Sequence, residues 1–117
     1  FVPVNQLSEV YSMSDICVYP AATSLSCLEA AGCARPVIMT ALPASLWRAE
    51  HGVGICYETG DIDNLRKTIE ALLEDSSRRK IMGEIARTKV LEHFSYDAIA
   101  SQAEQYMYEV IGERPRN

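Results

Sequence analysis

Glu29 is the residue whose type and place first invite chemistry. It lies in Thr23-Ser24-Leu25-Ser26-Cys27-Leu28-Glu29-Ala30, a hydroxyl-rich turn running into good helix formers. The apolar runs Ile16-Cys17-Val18-Tyr19 and Pro36-Val37-Ile38-Met39 flank it on either side. A strand, a small-residue turn and a helix leave backbone N–H groups and the positive helix end at the carboxyl edge of a parallel sheet. That edge is where α/β proteins bind phosphorylated ligands. A carboxylate in the first turn of such a helix accepts hydrogen bonds from vicinal hydroxyls, as acids in nucleotide-binding α/β proteins do with ribose. The spacing has a plainer reading as well. Ser26-x-x-Glu29 has the form of a capping box, in which Glu29 only ties off the helix start. Thr23 and Ser24 offer hydroxyls and, with Leu25, backbone amides to an anion; they equally suit ordinary turn and N-cap duty.

The other chemistry-bearing residues point elsewhere. His51 and His93 have no partner at metal or triad spacing and read as surface residues of helix ends or loops. Cys27 sits where a helix start could activate a nucleophile, but no histidine is placed for it, so a core thiol is the reading. Arg79 and Arg87 read as solvated charge on helix surfaces. Gly52 and Gly54 read as turn glycines leading into a last strand.

The elements that must hold these residues follow from periodicity. Phe1-Val2-Pro3-Val4 looks like a strand or its end, which leads us to expect the carboxyl-terminal part of a longer protein. Leu7, Val10 and Tyr11 recur at helical spacing up to about Ser14. The strand Ile16–Tyr19, a helix from Ser24 or Ser26 to Ala34, and the strand Val37–Met39 follow. The stretch Thr40–Gly52 is irregular or briefly helical around Leu46–Ala49, and Gly54–Tyr57 is a fourth strand. Asp61 is an N-cap for a helix over 62–73 with the apolar stripe Ile62, Leu65, Ile69, Leu72 and Leu73. Asp75 or Ser76 starts a second helix, and Ser95 caps a third that ends at Gly112. Strands near 2–4, 16–19, 37–39 and 55–57 should be parallel, because each connection is long enough for a helical crossover.

Bulk properties bound the class. The 117 residues make one domain or less, with 48% hydrophobic and 23% charged residues, ordinary for a globular protein. A net charge of -5 argues against a nucleic-acid backbone or an anionic membrane as main partner. No apolar run approaches the roughly 18–20 residues of a membrane span. The four cysteines, Cys17, Cys27, Cys33 and Cys56, share no metal-ligand spacing and suit a reducing compartment, so cytoplasmic is the expectation.

With these residues in place, the chain resembles the donor-binding domain of the family 4 retaining glycosyltransferases, the large group 1 class with two Rossmann-like domains. The resemblance runs in order over nearly all of residues 1–112. It is carried by Leu7…Tyr11…Ser14-Asp15, Ile16–Pro20, Thr23-Ser24-Leu25, Leu28-Glu29-Ala30, Arg35-Pro36-Val37-Ile38, Glu50-x-Gly52-x-Gly54 and Gly60-Asp61. The arginine-rich helix with Met82 and Ala86-Arg87, then Phe94-Ser95-Tyr96, completes it. No single piece is specific; the ordered set is. It implies an α/β fold: a Rossmann-like parallel sheet with helices on both faces, the C-terminal part of a GT-B domain, ending in a run of helices. Residues 1–112 would be a partial donor-binding domain and 113–117 a frayed tail.

By that resemblance Glu29 matches the second acid of the family's E-x7-E motif, which holds the donor ribose. Thr23, Ser24 and Leu25 match the loop that contacts the donor diphosphate. The first acid, which contacts the transferred sugar, would stand eight residues before Glu29, where the sequence has Ala21. Ala22 and Ala34 stand where glycines are usual. The two β–α units that open the family's domain are expected to precede Phe1. An uncovered sheet edge there leads us to expect dimerisation, strand exchange or an exposed apolar patch beside Phe1–Val4.

The activity implied is transfer of a sugar from a nucleotide-diphosphate sugar to a hydroxyl acceptor in glycan or cell-surface polysaccharide synthesis. Helix-end amides would stabilise the leaving diphosphate, with no metal and no cofactor. The implied partners are the nucleotide-diphosphate sugar donor and the N-terminal part of the same protein, and no nucleic acid. Peripheral membrane association of the full-length protein and a homodimer of the fragment stand beside these. Ala21 motivates the alternative of a catalytically silent relative that binds a nucleotide sugar or a protein; a third reading is a sugar-nucleotide epimerase of similar architecture.

Overall fold

The structure, a computed structural model, describes residues 1–21 and 24–112; Ala22, Thr23 and 113–117, the expected tail, lie outside the described residues. Strands β1 (Cys17–Tyr19), β2 (Val37–Thr40) and β3 (Ile55–Tyr57) form a sheet in the order β1-β2-β3. Both pairings are parallel, with Val18 beside Ile38 and Met39 beside Cys56. The helices are α1 (Leu7–Met13), α2 (Ser26–Gly32), α3 (Pro43–Glu50), α4 (Ile62–Glu74), α5 (Ser76–His93) and α6 (Tyr96–Ile111). The expected α/β architecture is the one observed.

The period-two alternation of β2 divides the core into two layers. Val37 and Met39 pack with Cys27, Ala30, Ala31, Val53 and Ala86, joined by Tyr11, Ala49, Val90 and Phe94, so α1, α2, α3 and α5 cover one face. Ile38 packs with Tyr57 and Leu72, joined by Leu65, Ile69 and Met82, so α4 covers the other. Every residue of β2 is buried, as a central parallel strand clad on both faces requires.

Helix ends follow local chemistry. The Asp61 carboxylate accepts from the Asn64 amide at 2.8 Å and the Asp75 carboxylate from the Arg78 amide at 2.8 Å. The Ser95 hydroxyl accepts from the Ala98 amide at 3.2 Å. Gly112 closes α6 in the left-handed region. These are the caps expected from the sequence. In α5, Gly83 is required by proximity: a Cβ there would collide with the Ala34 carbonyl. Ala34 itself holds φ at 57°, in the left-handed region, just after α2.

Some expectations are corrected. No strand forms at 2–4; Val4–Gln6 is a 3-10 turn in which the Gln6 amide donates to the Pro3 carbonyl at 2.9 Å. Pro3 lacks an N–H and has φ at -59°, which favours starting a helical turn over pairing in a ladder. The segment after β2 is a full two-turn helix, with Pro43 in its first turn. Helix α2 stops at Gly32, short of Ala34. Arg79 and Arg87 are not simply solvated: Arg79 donates to the Leu72 and Leu73 carbonyls at 2.6 and 2.7 Å, and Arg87 to the Gly32 carbonyl at 2.6 Å. Each thereby caps the carboxyl end of a neighbouring helix. Phe1, Val2, Val4 and Met13 are exposed, and β1 is an edge strand among the described residues.

Candidate functional site

The segment after β1 leaves the carboxyl edge of the sheet and enters α2 through Ser24 and Leu25. Three long side chains from other elements pin it. The Tyr57 hydroxyl, at the end of β3, donates to the Pro20 carbonyl at 2.7 Å. Arg48, on α3, donates to the Ser24 carbonyl at 2.8 Å and to the Cys27 sulfur at 3.0 Å. The Tyr19 hydroxyl donates to the Ser26 carbonyl at 2.9 Å. The Ser24 and Ser26 hydroxyls are hydrogen-bonded to each other. These bonds fix the backbone of Pro20 before the turn and of Ser24 and Ser26 after it, the preorganisation that presenting amides to a ligand requires.

Glu29 is exposed, in the first turn of α2. Its carboxylate accepts a hydrogen bond from the Tyr11 hydroxyl of α1 at 3.1 Å. The capping box does not form: Ser26 is already the first residue of α2, Leu25 precedes it with helical φ and ψ, and no side chain caps this end. Leu25 is 73% exposed, so its side chain takes no part in the core. Thr23 lies outside the described residues. Ala21 is exposed and offers no polar side chain where the first acid of the motif would stand. The structure therefore brings Ser24, Leu25 and Glu29 onto one loop-and-helix unit and adds Tyr11 as a partner of Glu29.

Burial raises the Tyr11 and Tyr19 phenols and the Cys27 thiol around this unit. Burial pushes the Tyr11 phenol up, and the hydrogen bond to Glu29 and the charge of Glu29 push it further in the same direction. Burial pushes Tyr19 well above the usual phenol range. Burial also raises the Cys27 thiol, although the nearby Arg48 guanidinium pulls it down. Cys27 is thus a protonated core thiol and not an activated nucleophile. Among the described residues no three His, Cys, Asp or Glu side chains are grouped to hold a metal ion.

Sequence reasoning missed Tyr11, Tyr19, Arg48 and Tyr57 as parts of this unit. Their contacts span 18, 7, 24 and 37 residues. Only the position of Tyr19 and Tyr57 at strand ends on the carboxyl edge hinted at such a role; Arg48 lay in a segment with no clear periodicity.

Comparison with known proteins agrees with this architecture. A family model described as glycosyl transferases group 1 matches residues 1–89. The N-acetyl-alpha-D-glucosaminyl L-malate synthase of Bacillus anthracis is 32% identical over 111 residues, 92% of this chain and 29% of that protein. The sucrose-phosphate synthase from Thermosynechococcus elongatus superposes with a TM-score of 0.81 at 25% identity, over 95% of this chain and 29% of that one. The chain thus spans 29% of the length of each of these two relatives. Because the family match runs through the sheet, the pinned loop and most of α5, the chain belongs to the group 1 glycosyl transferases.

Proposed function

We propose that residues 1–112 are part of a nucleotide-sugar donor-binding domain, in a longer enzyme that transfers a sugar from a nucleotide diphosphate to a hydroxyl acceptor. The observation that carries this reading is the rigid Ser24–Glu29 unit inside the region matched to group 1 glycosyl transferases. In this reading the exposed Glu29 carboxylate accepts hydrogen bonds from the donor ribose. Amides of the Thr23–Leu25 segment face the diphosphate and stabilise the negative charge that grows on it as the glycosyl bond breaks. The Tyr11 hydroxyl donates to the same carboxylate at 3.1 Å and helps orient it. The product would be a glycan or cell-surface polysaccharide, made in the cytoplasm. No helix among the described residues is long and apolar enough to cross a membrane.

Ala21 favours a second reading, a relative that binds a nucleotide sugar without turning it over. Incubating the whole protein with a panel of nucleotide-diphosphate sugars and hydroxyl acceptors separates the two. Release of nucleoside diphosphate together with a glycosylated acceptor supports transfer; saturable donor binding with no release supports the silent relative.

A further inference from the structure

A charged cleft opens at the edge of the sheet opposite the Ser24–Glu29 unit. It has a volume of about 360 Å³ and is lined by Asp15 and Pro36, which lead into β1 and β2, by Ala34 and Arg35, and by Ser76, Arg79, Lys80 and Glu84 of α5. Three cations gather here in a chain whose net charge is -5. Among the described residues none of them forms an ion pair, with Asp15, with Glu84 or with any other carboxylate. The two arginines are held by backbone carbonyls. Arg35 donates to Cys33 and Ser14 at 3.2 and 3.3 Å, and Arg79 to Leu72 and Leu73. Those bonds use Nε and one Nη of Arg35 and one Nη of Arg79, and leave the other guanidinium donors with no acceptor among the described residues. Lys80 makes no hydrogen bond or ion pair among them.

We propose that this cleft binds a small phosphate-class oxyanion, at a site separate from the Ser24–Glu29 unit. Like charges confined together repel, and an anion seated between them turns that repulsion into attraction. Guanidinium forks already fixed by carbonyls lose little freedom on meeting a phosphate, which they match with paired N–H donors. Lys80 closes the site as a mobile point charge. Glu84 opposes the ligand from the rim, and its charge sets how tightly the anion is held.

Lysine footprinting on the whole protein tests this, with acetylation of Lys80 read against Lys67 and Lys89 as phosphate is added at constant ionic strength. Lys80 should be protected saturably at millimolar phosphate, the affinity expected of a few charge-assisted contacts, while Lys67 and Lys89 stay unchanged. Arg35→Gln should weaken the protection about tenfold and Glu84→Gln should strengthen it severalfold. Both substitutions sit away from Glu29, so donor binding at Ser24–Glu29 should not change. A phosphate monoester run in parallel distinguishes the source. Equal protection by both assigns the cleft to the oxyanion itself, and stronger protection by the ester assigns it to a phosphorylated metabolite; either supports the site. Uniform slowing of all three lysines, protection that does not saturate, or no response to Glu84→Gln would overturn it.

Discussion

Arg48 reaches from α3 to the carbonyl oxygen of Ser24, 24 residues earlier, at 2.8 Å. The same nitrogen touches the buried Cys27 sulfur at 3.0 Å, so one cation ties the loop after β1 to the start of α2. Replacing Arg48 with Met keeps much of the apolar stem and deletes both bonds. A hydrogen bond from a charged donor contributes about 1.5–3 kcal/mol, and we expect a loss of that size in urea unfolding. Amide exchange at Leu28 and Glu29 should quicken. An unchanged midpoint would mean that the loop is held by other contacts.

Ala34 and Gly83 make an opposed pair. Ala34 adopts φ of 57°, which costs an L-residue about 1–2 kcal/mol. Ala34→Gly removes that strain and adds roughly 0.5–1 kcal/mol of backbone entropy cost, for an expected net gain of about 0.5–1 kcal/mol. Gly83→Ala drives a Cβ into the Ala34 carbonyl and should cost about 1–3 kcal/mol or more. Thermal unfolding of the two variants should shift in opposite directions.

The parts of this fold visible in the sequence are those whose cause is local. Asp61, Asp75, Ser95 and Gly112 cap helices because of their own side-chain and backbone chemistry, and the parallel sheet follows from alternating apolar runs and long crossovers. The family resemblance, not local chemistry, marks Ala34 as a position where glycine is usual, in keeping with its φ of 57°. Phe1–Val4 misled because apolar composition suits a strand only when a neighbouring strand pairs with it, and Pro3 instead starts a turn. Arg79 and Arg87 looked solvated because the carbonyls they cap belong to other helices. At the candidate site the spacing pointed to Ser24, Leu25 and Glu29, but the four side chains that brace them come from distant positions.

Alkaline pH should unfold the protein earlier than ordinary surface titration would. Tyr11, Tyr19, Cys17, Cys27 and Cys56 are all raised from ordinary values of 10.0 for phenols and 9.0 for thiols, with burial the largest cause in each. In the unfolded chain these groups ionise at their ordinary values, while the folded state keeps them neutral. Their contribution to stability is therefore intact below about pH 9 and lost as pH climbs through the unfolded and then the raised folded values. Urea midpoints should hold steady from pH 7 to about 8.5 and fall steeply above 9 to 10. Tyr19→Phe should flatten part of that fall.

Residues 1–117 alone should bind nucleotide sugars weakly. In the proposed reading, the donor contacts in this stretch are Glu29 and the Thr23–Leu25 segment. A few charge-assisted bonds of about 1.5–3 kcal/mol each must offset an association cost of roughly 4 kcal/mol or more. Millimolar affinity, corresponding to about 4 kcal/mol, is the expectation for chemical-shift titration with several nucleotide-diphosphate sugars. Micromolar binding lost on Glu29→Ala would show a more complete site.

The central claim is that Glu29 is a donor-binding acid, and steady-state kinetics of Glu29→Gln in the whole protein tests it most directly. The glutamine keeps the shape and one acceptor but loses the charge that strengthens hydrogen bonds from ribose hydroxyls. A loss of about 1.5–3 kcal/mol corresponds to roughly a 10- to 100-fold fall in kcat/KM for the donor, with the thermal midpoint unchanged because Glu29 is exposed. Donor kinetics indistinguishable from wild type would contradict the account and leave Glu29 as a surface partner of Tyr11.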